Sequence, residues 1–297
     1  MNTEEVIRNL QAGNLRTIAR CISVVENDLP GSEELLRTLQ PREIPVIGIT
    51  GPPGAGKSSL VNELLSKLKL ANKKVGVIAV DPTSPFHRGS LLGDRIRMSD
   101  HFNNSSVFIR SLATRGSLGG LSSRILEITD VMKAADFDLL IIETVGVGQS
   151  EVEIAGMADL TILVLVPEAG DEIQQIKSGI MEIGDIYVVN KADRPGADRF
   201  VKSLFDSMRD DHDRSREIIK TVATTGEGVE ELFTKLLSVS PSSNEPRKIW
   251  LLTEKAWHLI QNRKMQGIKK DILEADIRTI KSNKLPFNLY QYIQKWL

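Results

Sequence analysis

Lys57 and Ser58 close a glycine-rich run, GPPGAGKS, that extends from Gly51 to Ser58. An ammonium and a hydroxyl behind bare backbone suit the handling of phosphate. Gly51, Gly54 and Gly56 carry no Cβ, so successive N–H groups can close on a phosphate at the positive end of a helix that starts near Lys57. The spacing G-x-x-x-x-G-K-[ST] brings Lys57 to the β- and γ-phosphates and the Ser58 hydroxyl to Mg²⁺, with Pro52, Pro53, Ala55 and Ser59 completing the predicted binding run.

A second constellation, Asn190-Lys191-Ala192-Asp193, follows directly on the apolar run IYVV. That places it at the carboxyl end of a strand, where α/β sheets bind ligands. A carboxylate at Asp193 can accept from guanine N1–H and the exocyclic amine. Adenine offers no donor at N1 and would leave the charge unpaired, so GTP and GDP are expected over ATP. Asn190 would orient the base from its other edge and the Lys191 stem would cover its face. The stretch TVATTGEG is expected to close over the base, with Val222, Ala223 and Thr224 in contact and the last two offering backbone N–H groups. Read alone, Asn190 and Asp193 could equally form an Asx turn after a strand.

Acidic residues at strand ends or in polar loops supply candidate metal ligands: Asp81 in VDPTSP, Asp94 in LLGDRIRM and Glu143 in IIETVGVGQ. Mg²⁺ takes hard oxygen ligands and keeps several waters, so Ser58 is expected to bind it directly and these carboxylates partly through water. Glu143-Thr144-Val145-Gly146 occupies the place of a D-x-x-G element, with the Gly146 N–H facing the γ-phosphate. No glutamine follows Gly146, and Gln149 is displaced by three, which predicts slow intrinsic hydrolysis. The polar loop from Glu168 to Gly179 carries Asp171, Gln174 and Lys177 and could sense a nucleotide or a partner, though a solvated loop would read much the same.

The elements that must position these residues follow from the apolar pattern. VIGIT, VGVIAV ending in Asp81, SVFIR, DLLIIET, LTILVLV, IYVVN and EIIKTVA read as seven strands, the central ones apolar throughout. Such runs alternating with helices predict an α/β fold: a P-loop NTPase with a mostly parallel sheet covered on both faces. Val6, Leu10, Leu15, Ile18 and Ile22 lie at helical spacing, and after a break at Pro30-Gly31 so do Leu35, Leu36 and Leu39. The predicted divisions are a helical N-terminal extension over 1–40, the nucleotide domain over 41–240 and a helical C-terminal extension over 241–297, joined by the Ser/Pro linker Ser238 to Pro246. All three tryptophans, Trp250, Trp257 and Trp296, lie in that last part, with Tyr290 and Tyr292. They either staple the tail to the domain or form a subunit interface.

Composition narrows the class. The 297 residues are 41% hydrophobic and 26% charged, and the net charge of -1 gives no electrostatic reason to expect a nucleic-acid partner. Cys21 alone cannot build a disulfide framework, the N-terminus lacks a signal-peptide core, and no apolar run reaches membrane-spanning length. A cytoplasmic protein with no membrane association is expected.

DPTSPFHRGSLLGDRIRM, RGSLGGLS, ETVGVGQSEVEIA and PEAGDEIQQIKSGI, together with the P-loop and NKAD, resemble the MeaB/ArgK/MMAA family. Its members are GTPase chaperones of adenosylcobalamin-dependent methylmalonyl-CoA mutase and related acyl-CoA mutases. The resemblance implies a homodimer formed through the C-terminal tail, a mutase partner, and a cobalamin adenosyltransferase as a further candidate. It assigns Asp81, Asp94 and Glu143 to the magnesium sphere and Arg97 to the position of a cis arginine. Asp171, Gln174 and Lys177 fall in a third switch loop that answers to the mutase. The catalytic set it implies is Lys57, Asp94, Arg97, Glu143, Gly146 and Lys177. Thr83 and Leu91 are mild departures in the first switch. The family's alternative description as a transport-system kinase is disfavoured by NKAD, and a metal-delivery GTPase by the scattered His87, His101, His212 and His258.

Overall fold

A computed structural model describes residues 3–81, 106–113, 124–144, 150–170, 180–208, 217–241, 245–265, 268, 270–283 and 288–296. The chain divides into two compact units, Met1–Lys248 and Ile249–Leu297.

Seven strands form the first unit's sheet: β1 (Val46–Thr50), β2 (Val75–Asp81), β3 (Val107–Ala113), β4 (Leu139–Glu143), β5 (Leu160–Leu165), β6 (Ile186–Asn190) and β7 (Glu217–Thr221). Their order is β3-β2-β4-β1-β5-β6-β7, and all six pairings are parallel. This is the predicted α/β sheet, with every expected strand present. From β1 the chain crosses to β2 and leaves a gap that β4 fills, whereas β5 to β7 add on the other side. The direction reverses at β1, and the phosphate loop lies at its carboxyl end, the position such sheets use for ligands.

The strands β1, β4 and β6 are buried at every position, as a sheet covered on both faces requires. Its N-terminal helices are α1 (Thr3–Gln11), α2 (Leu15–Glu26) and α3 (Ser32–Thr38), and α4 (Lys57–Leu70) follows β1. Then come α5 (Ile125–Lys133), α6 (Ser150–Met157), α7 (Ile180–Ile183), α8 (Ala197–Met208) and α9 (Val229–Leu237). On one face Leu60, Leu64 and Leu68 of α4 and Leu232 of α9 share a core with Ile47, Ile49, Val77 and Ile141. On the other, Gly48 lets α6 approach closely: a Cβ there would lie 2.5 Å from Ile154 Cγ2.

The first apolar stretch is two helices rather than one. Gly13 takes a left-handed φ of 74°, and the Asn14 side chain accepts from the Thr17 N–H to cap α2 afresh. Buried Ile18, Ile22 and Val25 face inward from α2, and Glu26 pairs with Arg110 of β3.

Helix α10 (Glu245–Lys264) begins inside the predicted linker, with Pro246 in its first turn, where a missing N–H costs nothing. Its root belongs to the first unit: Lys248 pairs with Asp159, and Arg247 with Asp185 at 3.6 Å. Burial pushes the Asp159 carboxyl above its usual range, opposed by Lys248 and the Val46 N–H. The second unit continues α10 and adds α11 (Lys270–Ser282) and α12 (Leu289–Ile293). Within it Tyr292 is buried, its ring under the Lys295 ammonium at 4.5 Å, and Lys295 pairs with Asp276. Trp250 and Trp257 stand 56% and 58% exposed, beside exposed Ile249, Leu252, Leu259 and Ile260.

Candidate nucleotide site

Gly51, Gly54 and Gly56 all adopt left-handed φ, at 138°, 77° and 90°. At Gly51 a Cβ would meet the Val164 carbonyl at 2.0 Å, and at Gly56 it would meet Asn190 Nδ2 at 2.3 Å. Both conformation and space therefore demand glycine at these two positions.

Lys57, the first residue of α4, folds back over the loop. Its Nζ donates to the Gly51 carbonyl at 2.8 Å and the Pro52 carbonyl at 3.1 Å. The side chain is 7% exposed, so the charge is held at the loop's mouth. Ser58 Oγ donates to Glu143 Oε1 at 2.7 Å, and Glu143 is 3% exposed at the end of β4. Strand pairing sets Ile49 opposite Glu143 on one side and Ala79 opposite it on the other. Asp81 then lies two residues further along β2, at the same carboxyl edge. A hydroxyl meeting a buried carboxylate is an all-oxygen donor set, which suits a hard divalent cation.

Asn190 closes β6 and joins three segments. Its Nδ2 donates to the Ala55 carbonyl at 2.8 Å, while Oδ1 accepts from Thr221 Oγ1 and the Ala223 N–H, each at 3.1 Å. The Ala223 N–H, expected at the base, thus engages Asn190. Lys191, at a φ of 57°, donates from Nζ to the Gly54 carbonyl at 2.7 Å. Asp193 is exposed at the rim. Next to it Arg194 pairs with Glu168 and holds that carboxyl below its usual range. After β7, Val222 bridges to Glu227, and Gly228 packs its α-carbon against the Lys220 carbonyl, where a Cβ would come within 1.9 Å. Val222 and Ala223 are buried and Thr224 is exposed, so the predicted base loop is a closed turn beside Asn190.

The structure thus brings together Gly51, Lys57, Ser58, Glu143, Asn190, Lys191 and Ala223. Asp94, Arg97, Gly146, Asp171, Gln174 and Lys177 lie outside the described residues, as does the side chain of Asp81. The sequence reading missed Thr221, which orients Asn190, and the hydroxyl pair of Thr50 and Thr144, 2.9 Å apart. A threonine closing an otherwise apolar strand was the available signal.

No group of three or more His, Cys, Asp or Glu residues that could hold a metal occurs among the described residues. No helix of the described residues is long and apolar enough to cross a membrane.

The chain is similar to several known proteins. A Pyrococcus abyssi protein is 46% identical over 241 residues, 78% of this chain and 74% of that one. GTPase ArgK of Escherichia coli is 42% identical over 195 residues, 64% of this chain and 59% of that one. A solved structure of a LAO/AO transport system kinase superposes with a TM-score of 0.67 at 27% identity, covering 95% of this chain and 93% of that one. The family described as "Methylmalonyl Co-A mutase-associated GTPase MeaB" matches residues 18–245. That span takes in all seven strands and both loops that meet at Asn190, and on its extent this chain belongs to the MeaB family of GTPases.

Proposed function

We propose that this GTPase is a chaperone of an adenosylcobalamin-dependent acyl-CoA mutase, methylmalonyl-CoA mutase first among them, gating cofactor loading and protecting or reactivating the enzyme. The observation that carries the reading is the match of residues 18–245 to a family described as mutase-associated. We place it in the cytoplasm as a homodimer joined through 241–297, and the exposed Trp250, Trp257, Leu252 and Ile260 support that association. A cobalamin adenosyltransferase is a further candidate partner.

In this reading Gly51 to Ser59 wrap the phosphates of GTP or GDP, and the Lys57 ammonium moves from the loop carbonyls to the β- and γ-oxygens. Asn190 and Lys191 frame the base, Val222 to Thr224 close over it, and Asp193 selects guanine. Ser58 and Glu143, with Asp81 and Asp94, would hold Mg²⁺, which supplies positive charge to the β- and γ-oxygens. Water attacks the γ-phosphorus in line while Lys57 and the loop amides take the developing charge. Arg97 and Gly146 complete the assigned set, and Asp171, Gln174 and Lys177 answer to the partner.

The likeness to a LAO/AO transport system kinase raises a second reading, phosphoryl transfer to a small molecule or protein. The Asn190 frame favours GTP hydrolysis, since a small-molecule kinase has no need of a guanine pocket. Single-turnover GTP hydrolysis with and without a purified adenosylcobalamin-dependent methylmalonyl-CoA mutase separates them. The mutase is expected to accelerate hydrolysis by less than the roughly 10³ to 10⁵ that an arginine brought in trans supplies. Lys177→Ala should keep GTP affinity and basal turnover and lose most of the acceleration. Equal loss of both rates would make Lys177 an ordinary catalytic residue, and no acceleration by any such mutase would count against the chaperone itself.

A further inference from the structure

Thr50 and Thr144 are the last residue of β1 and the first beyond β4, with side chains 0% and 2% exposed. Thr144 Oγ1 donates to Thr50 Oγ1 at 2.9 Å, and the Thr144 N–H continues the ladder to the Ile49 carbonyl at 3.0 Å. The rest of β4 up to Glu143 is Leu or Ile, and β1 is otherwise Val, Ile and Gly48. A β-branched apolar side chain would fill either position without bringing a polar group out of water.

The pair closes a ring of contacts around the nucleotide site. From Thr50 the chain passes to Gly51, whose carbonyl accepts from Lys57 Nζ. Lys57 is bonded to Ser58, whose hydroxyl donates to Glu143, and Glu143 is bonded to Thr144, which returns to Thr50. These three side-chain links close the ring, beside the backbone ladder bond from Thr144 to Ile49. Two of them use the groups that the nucleotide and its cation would claim: the Lys57 ammonium and the oxygens of Ser58 and Glu143. The third uses hydroxyls buried behind the loop, to which the proposed function gives no role with the nucleotide or its cation.

We propose that Thr50 and Thr144 are positioning residues for GTP hydrolysis, their hydroxyl bond fixing Glu143 and the chain that follows it against the P-loop when Lys57 and Ser58 turn to substrate. The proposal rests on the nucleotide roles given above to Lys57, Ser58 and Glu143. Neither threonine touches the reacting atoms. Their contribution is to add a side-chain tie to the β1–β4 ladder bond, keeping the spacing between Gly51 and Glu143 while the other two links are open.

The test is single-turnover GTP hydrolysis together with GDP affinity by calorimetry for the parent, Thr50→Val, Thr144→Val, the double variant and Thr144→Ser. Each valine removes the same bond from a different side, so one folded variant is enough. Loss of a buried hydrogen bond used at the transition state is expected to slow hydrolysis about tenfold, with GDP affinity held within about twofold. The double variant should be no slower than the slower single one, and Thr144→Ser, which keeps the hydroxyl, should hydrolyse at the parental rate. Unchanged hydrolysis in both valine variants, a parallel fall in rate and GDP affinity, or a Thr144→Ser variant as slow as Thr144→Val would each overturn the proposal. A parent that neither binds GDP nor hydrolyses GTP would instead remove the reading beneath it.

Discussion

The Lys191 ammonium rests on the Gly54 carbonyl at 2.7 Å, and its neighbour Asn190 reaches the Ala55 carbonyl at 2.8 Å. Two consecutive residues at the end of β6 therefore hold two consecutive carbonyls of the phosphate loop. The segment assigned to the base and the segment assigned to the phosphates are one piece, and Gly56 must lack a side chain for them to meet.

The proposed function gives base discrimination to Asp193, which is exposed. Asp193→Asn replaces an acceptor by a donor facing the donors of guanine, so GDP binding should weaken by about 1.5 to 3 kcal/mol, the range for a hydrogen bond to a charged group. Xanthine nucleotides should gain. Calorimetry with GDP and XDP checks both directions, and unaltered GDP affinity would disprove this base assignment.

Gly48 sets how closely α6 lies on β1. Gly48→Ala brings a methyl to 2.5 Å from Ile154 Cγ2 and 3.2 Å from Ala158 Cβ. Overpacking of this kind typically costs about 1 to 3 kcal/mol. Thermal unfolding should show a lower midpoint, and adding Ile154→Ala, which removes the closest clashing atom, should lower it by less than the two single losses combined. Additive losses in the double variant would refute the assignment of the cost to that contact.

A truncation that probes the tail should keep Arg247 and Lys248, because both pair with carboxylates of the first unit. Residues 1–248 are expected to stay soluble, bind GDP and sediment as a monomer, while the full chain sediments as a dimer at micromolar concentration. A full chain that sediments as a monomer would remove the tail interface. A chain ending at Pro246 should unfold at a lower temperature than one ending at Lys248, since it strips the buried Asp159 carboxylate of its cation.

The sheet was legible because central parallel strands are apolar without interruption, and VIGIT, DLLIIE and IYVVN announce themselves on that ground alone. Gly51 to Ser58 and Asn190 to Asp193 stood out because phosphate and base recognition, the roles proposed for them, would each constrain several residue types at fixed spacing. What escaped detection rests on single residues whose role depends on a distant partner. Thr50 and Thr144 read as ordinary strand residues until β1 and β4 are set side by side. Thr221 ends a strand like any β-branched residue, and only the β6–β7 pairing shows that it holds Asn190. Asp159 and Asp185 look like solvated turns before strands. In the fold each accepts from a neighbouring strand, Val46 N–H at 2.9 Å and Thr161 N–H at 2.8 Å. The division of the first helical stretch at Gly13 hinged on a left-handed turn that apolar spacing does not report.

Asp159 joins parts of the chain that are made at very different times. Its carboxylate accepts from Val46, 113 positions earlier, and pairs with Lys248, 89 positions later. During synthesis β1 and β5 can pair well before Lys248 leaves the ribosome, and through that interval the carboxylate has a backbone N–H but not its cation. Burying it costs most then. The foot of the sheet therefore matures only when the root of α10 arrives, which makes Lys248 the last residue the α/β unit waits for.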